Sequence, residues 1–217
     1  MAALPEPRIA LLAGASGLVG GRLLQHLLAD PAFERVIALG RRVPPIAHPK
    51  LDARVVDFAA LPPVAATDAS CCLGTTLRKA GSRAAFRLVD HDHAVAFAAM
   101  ARAGGATRYG LVSSVGADAG SGTFYLQVKG EVEQAVAALG FAGLVICRPG
   151  LLLGPRAERR PAEALAQRLA PLLNPLLPGR YKSIDHAVVA RAMLAAAKLP
   201  PEPRRVLLVP DLLRLAR

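Results

Sequence analysis

The sequence predicts an α/β protein built on a doubly wound parallel sheet of about six or seven strands. Two observations predict it. Short apolar runs with the length and composition of buried strands recur along the chain, separated by stretches of helical periodicity. The first run, Ile9 to Ala13, breaks into glycines at 14, 17 and 20 and then turns helical, with Leu18, Leu23, Leu24, Leu27 and Leu28 along one stripe and Asp30-Pro31 as a stop. The 217 residues read as a single domain, with a core of about 8–150 and a small C-terminal segment of about 151–217. A chain of this length buries roughly 70% of its unfolded surface.

The glycine turn has a chemical meaning in that context. Gly14 can take backbone angles that a side chain forbids, so the chain can turn sharply. Gly17, without a Cβ, lets a diphosphate approach the unpaired amides that open the helix, where the dipole is positive. Gly20 lets the helix pack close to its strand. The spacing is G-x-x-G-x-x-G, which differs from the G-x-G-x-x-G of most dinucleotide dehydrogenases. Strand, glycine turn and helix near the N-terminus therefore predict a Rossmann-type, NAD(P)-binding unit.

The remaining elements follow in order. Arg35 to Leu39 reads as the second strand and ends at Gly40-Arg41-Arg42. An NAD site places an acid there, on the ribose 2′-hydroxyl. Two arginines match a phosphate dianion instead, so the expected cofactor is NADP(H). Ala53 to Val56 is a short third strand, and Asp57 after it suits either the adenine amino group or the cap of the next turn. Ala69 to Leu73 is the fourth strand. Its carboxyl end, Leu73, Gly74 and Thr75, faces the cofactor crevice. Residues 77–83 read as a polar, mobile loop, followed by a long helix from about Arg83 to Ala103. His91 and His93 stand two apart on it and so face away from each other. No metal site is expected, because a helical ligand pair needs i, i+4 spacing.

Tyr109 to Ser114 is the fifth strand, followed by a glycine-rich loop and a helix running to about Leu139. Tyr125 and Lys129 are i and i+4 on that helix and share a face. A serine, a tyrosine and a lysine together suit carbonyl reduction and its reverse. The tyrosine passes the proton, a neighbouring ammonium stabilises its phenolate, and the serine holds the carbonyl. Of Ser113 and Ser114, alternation along the strand sends only one into the cleft, and Ser114 is preferred as further past the strand end. Gly143 to Cys147 is the sixth strand, and Pro149 behind it shapes the cleft. A loop to Pro161, a helix over about 162–173, an Ala-rich helix from Ile184 to Leu199, a seventh strand from Arg205 to Val209 and a short tail over 212–216 complete the chain.

Composition excludes other classes. With 53% hydrophobic and 20% charged residues, disorder is excluded. The net charge is +11, but the basic residues are spread out, with no K/R block and no zinc-finger spacing, so nucleic acid is not an expected partner. Three cysteines, Cys71, Cys72 and Cys147, lie in apolar runs and suit a reducing compartment. No apolar run reaches the ~18–20 residues of a membrane span, and no basic leader precedes the first strand. The expectation is a cytoplasmic protein without membrane contact.

With these motifs located, the chain resembles an atypical short-chain dehydrogenase/reductase, most like the Tat-interacting-protein-type oxidoreductases and their bacterial relatives. The residues that carry the resemblance are Gly14-Ala-Ser-Gly-Leu-Val-Gly20, Gly40-Arg41-Arg42, Cys72-Leu-Gly-Thr-Thr76, Val112-Ser-Ser-Val-Gly-Ala117, Tyr125-Leu-Gln-Val-Lys-Gly-Glu-Val-Glu133 and Arg148-Pro-Gly150. It implies NADP(H) in an extended cleft, with Ser16, Gly17, Leu18 and Val19 at the diphosphate and Arg41 and Arg42 at the 2′-phosphate. It also implies that Leu73 and Gly74 line the cofactor, that Leu152 and Arg160 lie near it, and that Tyr125 is the proton donor or acceptor beside Lys129. The Asn-Asn-Ala-Gly of the broader superfamily is replaced by Cys-Leu-Gly-Thr, and the short segment after residue 150 does not suit a large sugar-nucleotide substrate. Two functions follow. One is an NADP(H)-dependent oxidoreductase of a small carbonyl or alcohol. The other is a non-catalytic NADP(H)-binding redox sensor acting through a protein partner. A homodimer fits either.

Overall fold

A computed structural model describes residues 7–154 and 178–217. Seven parallel strands form one sheet. In chain order they are β1 (Arg8–Ala13), β2 (Phe33–Gly40), β3 (Leu51–Val55), β4 (Asp68–Cys71), β5 (Arg108–Val112), β6 (Gly143–Arg148) and, after the short pair β7 (Leu152–Leu153) and β8 (Ile184–Asp185), β9 (Arg205–Leu208). The spatial order is β3-β2-β1-β4-β5-β6-β9, so the chain reverses direction across the sheet between β3 and β4. In such sheets a crevice opens at the strands' carboxyl ends beside that reversal.

Helices cover both faces, which is why the central strands are apolar on both sides. Along β1, Leu11 and Ala13 point to one core and Ala10 and Leu12 to the other. The first core is closed by α4 (His93–Ala103) and α5 (Phe124–Ala137), through Phe97, Met100, Val132 and Val136. The second is closed by α1 (Leu18–Ala29), α6 (His186–Ala197) and α7 (Val209–Leu215), through Leu23, Leu24, Val189, Met193 and Leu212. The C-terminal segment therefore contributes a strand and two helices to the main sheet.

Several boundaries differ from the sequence expectation, each for a local reason. Residues 77–83, expected as a loop, contain the short helix α2 (Leu77–Ala80), because the Thr76 side chain accepts from Lys79 N–H (3.2 Å). The helix expected over 83–103 begins as α3 (Arg83–Arg87) and passes through a π-helical turn, Leu88–Asp92, before α4. The helix expected from Ile184 starts at His186, where Asp185 caps it by accepting from Ala187 N–H (2.7 Å), and Ile184 pairs with Leu152 instead. The seventh strand stops at Leu208, because Pro210 has no N–H for a ladder and starts α7. The expected tail is thus helical. The expected helix over about 162–173 lies outside the described residues.

Candidate active site at the carboxyl edge of the sheet

The glycine turn is built by close approach of backbone to backbone. Gly14 has φ +87°, and a Cβ there would lie 2.5 Å from the Cys72 carbonyl carbon. A Cβ on Gly20 would lie 2.2 Å from the Gly14 carbonyl oxygen. Both glycines are therefore demanded by the protein itself, to seat α1 against the ends of β1 and β4. Gly17 is different: a Cβ there would come no closer than 3.3 Å to Gly14 O. It is exposed and opens α1 as its N-cap, with no side chain capping the helix. Ser16 is exposed, Leu18 half-buried, and the Val19 side chain is buried in the second core, which leaves its amide as its polar group at the helix start. A helix N-terminus in this state suits a diphosphate.

Arg41 and Arg42 are exposed on the turn after β2. Asp57 is exposed, and its Oδ1 accepts from Ala59 N–H (2.9 Å), so it caps the turn. Leu73 and Thr75 are half-buried at the end of β4, with Gly74 exposed between them. Pro149 is buried at the end of β6, and its carbonyl accepts from Val115 N–H (2.9 Å). Leu152 lies half-buried in β7, packed against the second core. Arg160 lies outside the described residues.

The catalytic candidates converge on α5. Thr123 starts the helix, and the residue after Lys129 lets the preceding loop lie flat on it. A Cβ on Gly130 would sit 2.1 Å from Ala119 N and 2.2 Å from the Asp118 carbonyl carbon. Tyr125 is half-buried, its ring 5.7 Å from that of Phe86. The two serines part company. Ser113 is 5% exposed and its hydroxyl donates to Glu133, whereas Ser114 is half-buried and its hydroxyl reaches only Val115 O at 3.3 Å.

Lys129 is buried, and its Nζ pairs with Asp90 Oδ1 at 2.7 Å. Asp90 sits in the π-helical turn, its side chain 1% exposed, and its Oδ2 accepts from Thr75 N–H (2.7 Å). One carboxylate thus joins the lysine to the loop after β4. Burial would lower the Lys129 pKa, but the Asp90 carboxylate, with Tyr125 adding to it, outweighs burial and raises it. A folded value above the unfolded one means that this contribution to stability is fully present at neutral pH. It is lost only as pH rises through the folded value.

Sequence reasoning missed Asp90. It stands four residues after the buried Phe86, which puts it on the inward side of the helix. His91 instead meets Asp92, with Nδ1 and Oδ1 2.8 Å apart, and His93 stacks on Phe58 at 5.6 Å. Glu133 was also missed, although Tyr125, Lys129 and Glu133 form one i, i+4, i+8 stripe. No cluster of three or more His, Cys, Asp or Glu residues suited to a metal occurs among the described residues. The three thiols are pushed up by burial, Cys147 to about 12, which makes them poor nucleophiles.

Comparison with known proteins bears on the family and the fold. No family model matches the chain. Protein HTATIP2 of Rattus norvegicus is 42% identical over 189 residues, covering 83% of this chain and 77% of its own length. Protein fmp52, mitochondrial, of Emericella nidulans is 39% identical over 175 residues, 75% of each chain. Among solved structures, MoeE5 in complex with UDP-glucose and NAD superposes with a TM-score of 0.68 at 15% identity, covering 95% of this chain and 80% of that one. The oxidoreductase ylbE of Lactococcus lactis superposes with a TM-score of 0.54 at 19% identity, covering 69% and 72%. The structural likenesses establish the fold, a Rossmann-type doubly wound parallel sheet.

One expectation is overturned. The fungal fmp52 relatives are named mitochondrial, against the cytoplasmic location expected here. Free thiols speak to redox conditions and do not distinguish one reducing compartment from another. Among the described residues no helix is long and apolar enough to cross a membrane.

Proposed function

The chain belongs to the family of Protein HTATIP2 and the fungal fmp52 proteins, and we propose on that premise that it is an NADP(H)-dependent oxidoreductase of a small carbonyl or alcohol. The observation that carries this reading is the buried Lys129–Asp90 pair under Tyr125, at the carboxyl edge of the sheet. A buried ammonium next to a phenol is costly to maintain, and it suits a site where a proton must leave and return at a tyrosine oxygen.

The residues present fit the cofactor. Gly17 is exposed at a helix start that no side chain caps, its own amide is taken up by Gly14 O (2.9 Å), and the amides of Ser16, Leu18 and Val19 would hold the diphosphate. Arg41 and Arg42 would hold a 2′-phosphate, which favours NADP(H) over NAD(H) although several structural neighbours were solved with NAD. Leu73, Gly74, Thr75 and Pro149 would line the nicotinamide half, and Asp57 the adenine end. When bound, NADP(H) supplies or accepts a hydride. Tyr125 Oη then gives a proton to the carbonyl oxygen, or takes it in the reverse direction. The Lys129 ammonium stabilises the phenolate left behind, and Asp90 holds that ammonium in place. Ser114, with only a long bond to Val115 O, is the hydroxyl available to hold the carbonyl.

Replacing Tyr125→Phe tests the reading. Turnover of a panel of aldehydes, ketones and quinones with NADPH is expected to fall by about 100-fold or more, with NADPH affinity retained. Unchanged turnover would remove Tyr125 from the chemistry. Tight NADPH binding with no turnover in the wild-type chain would favour the redox-sensor function over catalysis.

A further inference from the structure

Glu133 lies at the opposite end of the α5 stripe from Tyr125, and its carboxylate is buried, with a side chain 1% exposed. Three bonds converge on it. Arg148 Nε donates to Oε1 (2.9 Å) and Arg148 Nη2 to Oε2 (2.6 Å), a two-pronged fork, and the Ser113 hydroxyl donates to Oε1. Arg204, just before β9, stands 3.7 Å from Oε2. The residues that Glu133 gathers are placed to matter. Ser113 immediately precedes Ser114 at the end of β5, and Arg148 immediately precedes Pro149 at the end of β6. Between these strand ends the ladder continues, with Ser113 N–H donating to Cys147 O (2.8 Å) and Val115 N–H to Pro149 O (2.9 Å).

We propose that Glu133 is a positioning residue. It locks the rotation of α5 against the carboxyl ends of β5 and β6, and so sets the distance between the Tyr125 hydroxyl, Ser114 and the nicotinamide side of the crevice. The proposal rests on the Ser114–Tyr125–Lys129 reading for its functional meaning. The physical argument is one of leverage. Side-chain tips lie about 5–6 Å from a helix axis, so a rotation of about 10° carries a tyrosine tip by about 1 Å. A misplacement of that size at reacting atoms can cost roughly 100-fold in rate. Asp90 holds the middle of the stripe through Lys129, but from the α4 side. Glu133 is what ties the stripe to the strands that carry Ser114 and Pro149. A clamp of this kind needs a carboxylate, because two guanidinium prongs and a hydroxyl all donate to it. A glutamine of the same volume would turn an amide N–H₂ toward one of them.

The test does not require turnover. The chain has three tyrosines, Tyr109, Tyr125 and Tyr181, so protein labelled with 3-fluorotyrosine gives few ¹⁹F resonances, and Tyr125→Phe identifies one of them. In Glu133→Gln, with NADPH bound, the Tyr125 resonance is expected to shift or broaden. The exposed Tyr181 resonance and the NADPH Kd should stay within about 2-fold of wild type. For any carbonyl that is turned over, kcat should fall roughly 100-fold with little change in KM for NADPH. A folded Glu133→Gln with an unmoved Tyr125 resonance overturns the proposal, even if its melting temperature falls. Should that variant not fold, Arg148→Lys keeps the charge, loses the fork and decides by the same resonance. Tyr125→Phe with unchanged turnover would defeat the catalytic reading alone and leave the clamp standing.

Discussion

The glycine turn and the α5 stripe sit at the same edge of the same sheet and are made in opposite ways. The glycine turn is a backbone object. Gly14, Gly20 and Cys72 meet through main-chain atoms, two of the three lie within seven residues, and side chains enter only by being absent. The α5 stripe is a side-chain object. Lys129 is held by Asp90 from the π-helical turn, and Glu133 by Ser113 and Arg148 from two strand ends. The difference teaches where each can fail. The first has no polar group to mispair but tolerates no added atom. The second tolerates changes of shape better than changes of charge, because each buried charge depends on its charged partner as well as on its hydrogen bonds.

Three variants sharpen or break that contrast, beyond those at Tyr125 and Glu133. The largest effect is expected at Gly14→Ala, which combines a positive φ with a Cβ 2.5 Å from a backbone carbon. A loss of about 4 kcal/mol or more in urea unfolding is expected, together with loss of cofactor binding. A stable variant that still binds NADPH would show that the turn is softer than its geometry suggests. Next is Asp90→Asn. It leaves the Lys129 ammonium buried without its counter-charge, and about 3 kcal/mol of stability should go with it. The loss should shrink as pH rises and Lys129 deprotonates. A cost that stays flat with pH would show that Thr75, not Lys129, is the important partner of Asp90. The smallest effect is expected when Arg41 and Arg42 are both replaced by alanine. They are exposed, so stability should hold, while NADPH affinity should fall by roughly 10- to 100-fold and NADH affinity should hardly change. Equal losses for both cofactors would remove the 2′-phosphate role.

What could be read from the chain follows the same division. The central strands were legible because they are short apolar runs, and burial on both faces leaves that pattern in the residues, whereas the edge strand β3, with Asp52 and Arg54, is not buried. The boundaries that moved depend on single capping groups. Thr76 and Asp185 accept helix amides, and Pro210 ends a ladder; such choices hinge on one side chain each and leave a weak local signal. Tyr125 and Lys129 were legible because helical spacing alone brings them together. Asp90 was not, although it follows Phe86 by four residues, because Lys129, the group it pairs with, lies on another helix and only the fold brings the two together. The cytoplasmic expectation failed for a further reason: location is an address, and nothing in core packing encodes it.

The sequence by itself determined the class of sheet, the glycine turn that opens α1, the pair of arginines after β2 and the i, i+4 spacing of Tyr125 and Lys129. These rest on local spacing, and local spacing is a property of the chain alone. Only the tertiary structure decided that Ser113 is consumed by Glu133 while Ser114 is left half-buried, and that Lys129 is charged beside Asp90. Those outcomes depend on which distant side chains share a buried volume. In such a volume a donor without an acceptor is too costly to leave, so partner choice is settled by the fold as a whole.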